Sequence, residues 1–96
     1  MNGTTTPWGP AQTVKNCGFG IFSVSTASHG GIYVPDEMLA RIPEREQAFA
    51  ERWSGSRNWF EEDCAAASVM HHIPEAFPGA DAAKVAAYWS ALFGVP

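Results

Sequence analysis

The stretch QTVKNCGFGIFSVSTASHGGIYV, residues 12–34, decides the fold class. Val14, Cys17, Phe19, Ile21, Phe22 and Val24 are mostly residue types that favour a pleated, half-buried backbone. Gly18 and Gly20 punctuate them as turn or bulge signals. The pattern predicts a strand near 12–17 and a second near 19–26, paired as an antiparallel hairpin. Side chains alternate along a strand, so Phe19, Ile21, Ser23 and Ser25 share one face of the second strand, and Phe22, Val24 and Thr26 share the other. Both faces carry apolar residues, and helices are expected to cover at least one. Gly30-Gly31 admits positive φ and close backbone approach. Ile32-Tyr33-Val34 is expected as a third short strand, ended by Pro35.

Downstream the pattern turns helical. Pro35-Asp36-Glu37 opens a short helical turn with Met38, Leu39 and Ile42 on its apolar side. Pro43 starts a second helix over 43–53, with Glu44 and Glu46 in its first turn, Phe49 and Trp53 on one face, and Gly55 as its stop. Asn58 followed by Glu61 resembles a capping box. It predicts a third helix from there to near His72, with Glu61, Glu62 and Asp63 in its first turn and Phe60, Cys64, Ala67 and His71 along one face. Residues 74–80 form a loop or single turn anchored by Phe77. The last helix is expected from Ala80-Asp81 to Phe93, with Val85, Trp89 and Leu92 as its buried stripe. Upstream, residues 1–11 (MNGTTTPWGPA) carry Pro and Gly without period, which predicts an irregular N-terminal arm anchored by Trp8. The expected architecture is α+β: a short antiparallel hairpin or three-stranded sheet packed against three to four helices, one domain over residues 12–96.

A chain of 96 residues, 46% of them apolar, has enough material for one modest core. Trp8, Trp53, Trp59 and Trp89 fall in four segments and are expected to tie them into one aromatic core. The formal charge is −4, and the six cationic side chains are scattered at Lys15, Arg41, Arg45, Arg52, Arg57 and Lys84. Without a basic stripe, direct nucleic-acid binding and docking on an anionic membrane are not expected. The opening residues lack a basic stretch followed by an apolar run, and no apolar run is long enough to span a bilayer. The expected location is the cytoplasm, with Cys17 and Cys64 as reduced thiols.

Three groups of residues invite a chemical reading. His29 beside Gly30-Gly31 has the makings of a general base or of a backbone anion site. The chain has no G-x-S-x-G nucleophile elbow, so a turn or binding role is preferred to catalysis. Cys17, Cys64, His29, His71 and His72 lack the paired short spacing of structural zinc ligands, and neither a metal nor a cofactor is expected. Glu61, Glu62 and Asp63 diverge by about 100° per residue if helical, so they do not converge as a catalytic pair. They are accounted for by a helix start, or functionally by an acidic patch for a basic partner, with Glu44, Glu46 and Glu51 as a second patch.

Thr6-Pro7-Trp8-Gly9-Pro10-Ala11-Gln12, Ser25-Thr26-Ala27-Ser28-His29-Gly30-Gly31 and Trp59-Phe60-Glu61-Glu62-Asp63-Cys64, together with Phe77-Pro78, resemble an uncharacterised small domain family of bacteriophages and other mobile elements. The resemblance runs from about Pro7 to Phe77. It implies a mobile-element context, in which small acidic proteins are often stoichiometric inhibitors of host defence, anti-CRISPR proteins among them. The expected function is therefore a protein-binding module that inhibits a host defence complex. Its partner would be a host protein or nucleoprotein complex, contacted by Glu61, Glu62, Asp63, His29 and Trp8. The alternatives are a small hydrolase-like enzyme using His29 with Ser28 or a carboxylate, and a structural accessory domain of larger proteins.

Overall fold

The computed structural model describes residues 5–94. Thr5–Thr6 (β1) and Gly9–Pro10 (β2) pair around a tight turn at Pro7-Trp8. The Thr6 hydroxyl closes that turn, donating to the Gly9 carbonyl at 2.8 Å and accepting from the Trp8 N–H at 3.1 Å. The expected irregular arm is thus a miniature hairpin over residues 5–10, while residues 1–4 of it lie outside the described residues. Thr13–Gly18 (β3) and Ile21–Ser25 (β4) form the expected antiparallel hairpin, with Val14 opposite Val24. Phe19 does not belong to the second strand as expected. It sits at the hairpin tip with φ 59°, between Gly18 and Gly20 at φ 86° and 77°, and is 54% exposed. A tight reversal needs left-handed backbone there, and the two flanking glycines supply most of it without a Cβ penalty.

Gly30–Tyr33 (β5) pairs antiparallel with β4. Asp36–Leu39 (α1) and Glu44–Ser54 (α2) follow as read from their Pro and acidic starts, and Gly55 ends α2 at φ 83°. The next segment departs from expectation. Trp59–Glu61 is a strand (β6), not the first turn of a helix, and it adds to β5 with Ile32 opposite Phe60. Asn58 does not cap a helix; its side-chain amide donates to the Val34 carbonyl at 2.8 Å and to Asp36 Oδ1 at 2.9 Å. The reason is the open edge of β5. Unpaired backbone groups there must find partners, and two β-favouring aromatics satisfy them better than a helix start. The third helix begins only at Ala66 and runs to His72 (α3). A 3₁₀ turn at Pro74–Ala76 leads to Ala82–Phe93 (α4), whose N-cap Asp81 accepts from the N–H groups of Ala83 and Lys84 at 3.0 and 3.1 Å. The chain is α+β with a four-stranded antiparallel sheet ordered β3-β4-β5-β6, one strand more than expected.

The two faces of the sheet do different work. Ile21, Ile32 and Phe60 point into the core, where they meet Val34, Ile42, Ala50, Ala66, Val69 and Ile73. Phe60 is fully buried, which contributes about 1.5–3 kcal/mol. On the opposite face Val24, Gly31 and Glu61 lie in one row and Phe22, Tyr33 and Trp59 in the next. The arm folds onto this face. A Cβ on Gly31 would lie 2.4 Å from the Trp8 ring, so only glycine lets the indole seat there. Trp8 meets Trp59 edge-on at 5.8 Å, and Tyr33 tilts against Trp59 at 5.1 Å. The four tryptophans therefore do not form one core as expected: Trp53 is 60% exposed, and Trp89 stacks on His71 at 4.2 Å, among the helices.

Helix α4 is attached by a narrow seam. Phe93 is its one buried residue and packs edge-on against Phe49 at 5.1 Å. Val85 and Trp89 are half-buried, but Leu92 is 43% exposed, so the expected stripe shifts to Val85, Trp89 and Phe93. Cys64, Ala67 and His71 are likewise half-buried rather than core. Glu46, expected as a solvated first-turn acid and part of a second binding patch, is fully buried. Its Oε1 accepts from Ser68 Oγ at 2.7 Å, from Trp89 Nε1 at 2.9 Å and pairs with His72 Nε2 at 2.9 Å. Its former companions Glu44 and Glu51 flank Arg57 at 3.5 and 3.4 Å instead.

Candidate functional site at the end of the sheet

The β4–β5 turn is built on Thr26. Its hydroxyl accepts from the N–H groups of Ser28 and His29 at 3.3 and 3.1 Å and donates to the His29 carbonyl at 2.7 Å. The Thr26 N–H reaches the same carbonyl at 2.7 Å. A hydroxyl that satisfies three backbone groups fixes the turn locally, as short polar side chains do. His29 emerges exposed from it, immediately before β5.

The chain leaving β6 arrives at the same end of the sheet. The Glu62 N–H donates to the Gly30 carbonyl at 3.0 Å, extending the ladder past Glu61. The Glu62 carboxylate then lies across Gly30, where a Cβ would come within 2.6 Å of its Oε2. Glu61 Oε1 accepts from the Asp63 N–H at 3.2 Å, and the Cys64 thiol donates to Glu61 Oε2 at 3.5 Å. The ligand atoms of His29, Glu61 and Asp63 all lie within 4.8 Å of one another. No Lys or Arg forms an ion pair with Glu61, Glu62 or Asp63 among the described residues. Burial, and then the nearby Glu61 carboxylate, push the Cys64 thiol above its ordinary pKa, so it is a protonated thiol and a poor nucleophile at neutral pH.

The five residues expected to make contacts thus gather around the β5–β6 end of the sheet. His29, Glu61 and Asp63 converge, Glu62 lies beside them across Gly30, and Trp8 sits on Gly31. What joins them is not the helix start from which the acids were read, but a strand pairing. The zinc set weighed from sequence, Cys17, Cys64 and three histidines, does not assemble, and both cysteines are free. Ser28 makes no side-chain hydrogen bond to His29 among the described residues, whereas carboxylate oxygens of Glu61 and Asp63 lie within 4.8 Å of an imidazole nitrogen, so of the two partners considered for His29 the fold brings up the carboxylates.

A second feature adjoins this end and was missed in the sequence. A cleft of about 400 Å³ runs between α3 and α4, lined by Ala67, Met70, Val85, Tyr88 and Leu92, with Glu62, Asp63 and Asp81 as its acids and Lys84 as its cation. Tyr88 is 67% exposed. The signal was present in the composition of α4, which carries apolar residues all round and a single charge, Lys84. Such a helix is either buried or covered by something else. No helix among the described residues is long and apolar enough to cross a membrane. A family model described as "Domain of unknown function (DUF7007)" matches residues 1–92. No curated protein and no solved structure matches the chain.

Proposed function

This chain belongs to the DUF7007 family, and we propose that it is a cytoplasmic protein-binding module of mobile-element origin, a stoichiometric inhibitor of a host defence complex. The observation that carries the binding function is the α3–α4 cleft: a largely apolar lining with Tyr88 and Leu92 exposed, in which three acids, Glu62, Asp63 and Asp81, outnumber the one cation, Lys84. An apolar groove with an acidic balance complements a segment that is apolar on one side and basic on the other. A second copy of this acidic chain is disfavoured, because it would bring like charges to the cleft. Host complexes that hold nucleic acid in basic channels present surfaces of the required charge. The likeness of the Trp8, His29 and Glu61–Cys64 motifs to mobile-element domains supports the inhibitory assignment.

The test is a titration of purified chain against a reconstituted RNA-guided or restriction-type nuclease complex, read by light scattering and by residual cleavage. Inhibition should saturate at a fixed ratio and follow complex formation. Replacing Tyr88 and Leu92 by Ser, with Glu62→Lys and Asp63→Lys as a second variant, should weaken binding while the thermal melt is kept. Inhibition that turns over at substoichiometric amounts would favour the enzyme alternative. Binding indifferent to both sets of substitutions would remove the cleft from the interface.

A further inference from the structure

One imidazole and two carboxylates meet at the end of the sheet, from two segments 32 or more positions apart in the chain, His29 just before β5, Glu61 as the last residue of β6 and Asp63 just beyond it. A cluster of acids alone is an ordinary solvated surface. The imidazole changes the chemistry, because it adds a nitrogen donor to two oxygens. Neutral imidazole suits first-row transition metals, carboxylates add charge, and the mixed set of one nitrogen and two oxygens accommodates Mn²⁺, Co²⁺ or Zn²⁺. The electrostatics point the same way. Glu61, Glu62 and Asp63 are consecutive anions with no ion-pair partner among the described residues. A cation at this point removes the repulsion that pairing with Lys or Arg removes elsewhere on the chain.

We propose that His29, Glu61 and Asp63 bind one divalent first-row transition-metal cation, with water completing its coordination. The ligands are already supported from behind. Thr26 fixes the backbone from which His29 projects, and the Asp63 N–H and Cys64 thiol hold one oxygen each of Glu61. His29 and Asp63 are exposed and free to change rotamer, and the three donor atoms already lie within 4.8 Å of one another. Three protein ligands leave coordination positions open to solvent or to a donor group from another molecule. His29 and Glu61 do not line the α3–α4 cleft, whereas Asp63 does, so the metal site shares that one residue with the partner-binding proposal and is tested through the other two.

The experiment uses the full chain, with Mn²⁺ and Zn²⁺ as probes. Paramagnetic Mn²⁺ should broaden the ring resonances of His29 before those of His71 and His72, and Zn²⁺ titrated calorimetrically should saturate at one equivalent. His29→Ala and Glu61→Gln should each lower the affinity by at least about tenfold, with circular dichroism and melting temperature kept. The ligand side chains are at the surface or its margin, so folding should survive both changes. No saturable binding of either ion, or broadening that begins at His71 or His72, would overturn the proposal. So would an affinity that His29→Ala leaves unchanged.

Discussion

The indole N–H of Trp89 donates to Glu46 Oε1 at 2.9 Å, joining α4 to α2 across 43 positions of sequence. Glu46 is fully buried, and the same oxygen also receives Ser68 Oγ and contacts His72 Nε2, so one carboxylate oxygen ties three helices. Its other oxygen has no hydrogen-bond partner among the described residues; Arg45 Nε is 3.7 Å away.

That asymmetry separates two substitutions. Glu46→Ala leaves the buried donors of Ser68 and Trp89 without an acceptor and should cost about 2–4 kcal/mol. Glu46→Gln keeps an oxygen for them but places a buried amide nitrogen where no acceptor is found among the described residues, so its cost should be about 1–3 kcal/mol, below that of Glu46→Ala. Urea denaturation midpoints measure both. An equal loss in the two variants would show that the carboxylate charge, not its acceptor geometry, matters.

Gly31 is the seat of Trp8. A methyl there would lie 2.4 Å from the indole and 2.6 Å from the Phe60 carbonyl oxygen, and the latter is backbone that cannot swing aside. Gly31→Ala should therefore destabilise by about 1–3 kcal/mol and expose Trp8. A red shift of the tryptophan fluorescence at denaturant concentrations below the main transition is the expected signature.

Arg41 forks onto both oxygens of Glu75, at 2.5 and 3.0 Å, and reaches the His72 carbonyl at 2.9 Å. The hydrogen bond from Arg41 holds the Glu75 carboxyl below the ordinary glutamate range. A depressed folded-state pKa means that the contribution is present above the unfolded glutamate value and is lost as pH falls through the depressed one. Both side chains are about 40% exposed, so the effect is screened and small. Melting temperatures between neutral pH and the acid limb should fall less steeply in Glu75→Gln than in the parent, and the difference should shrink in high salt.

Cys64 should alkylate more slowly at neutral pH than an unhindered thiol, because burial and the neighbouring Glu61 carboxylate disfavour the thiolate. Glu61→Gln removes the charge and should speed the reaction at a given pH. Mass-spectrometric time courses with iodoacetamide resolve Cys64 from Cys17, and an unchanged Cys64 rate in the variant would assign the elevation to burial alone.

Much of the fold was legible in the sequence because local signals and tertiary demands coincide. Alternation with glycine punctuation marks β3, β4 and β5, Pro and acids start α1 and α2, Gly55 ends α2, and Asp81 caps α4. Each is decided within a few residues, by steric limits on φ or by one side chain meeting a nearby N–H. The segment from Asn58 to Ala65 was not legible. Its capping pattern is a sound local preference, but the unpaired edge of β5 recruits Trp59–Glu61 as a strand, and no window of sequence contains both partners. The candidate site follows from that same pairing. The residues His29, Glu61, Glu62, Asp63 and Trp8 stood out one motif at a time, whereas their convergence on Gly30 and Gly31 is a property of sheet register. Glu46 shows the converse: an acid in a first helical turn reads as solvated, and only the packing of α3 and α4 over it makes it a buried hub. Sequence by itself determined where the chain turns and which elements it can make, since those energies are local. Tertiary structure decided which edges pair and which polar atoms are buried, since backbone hydrogen bonds and desolvation are satisfied between segments far apart in the chain.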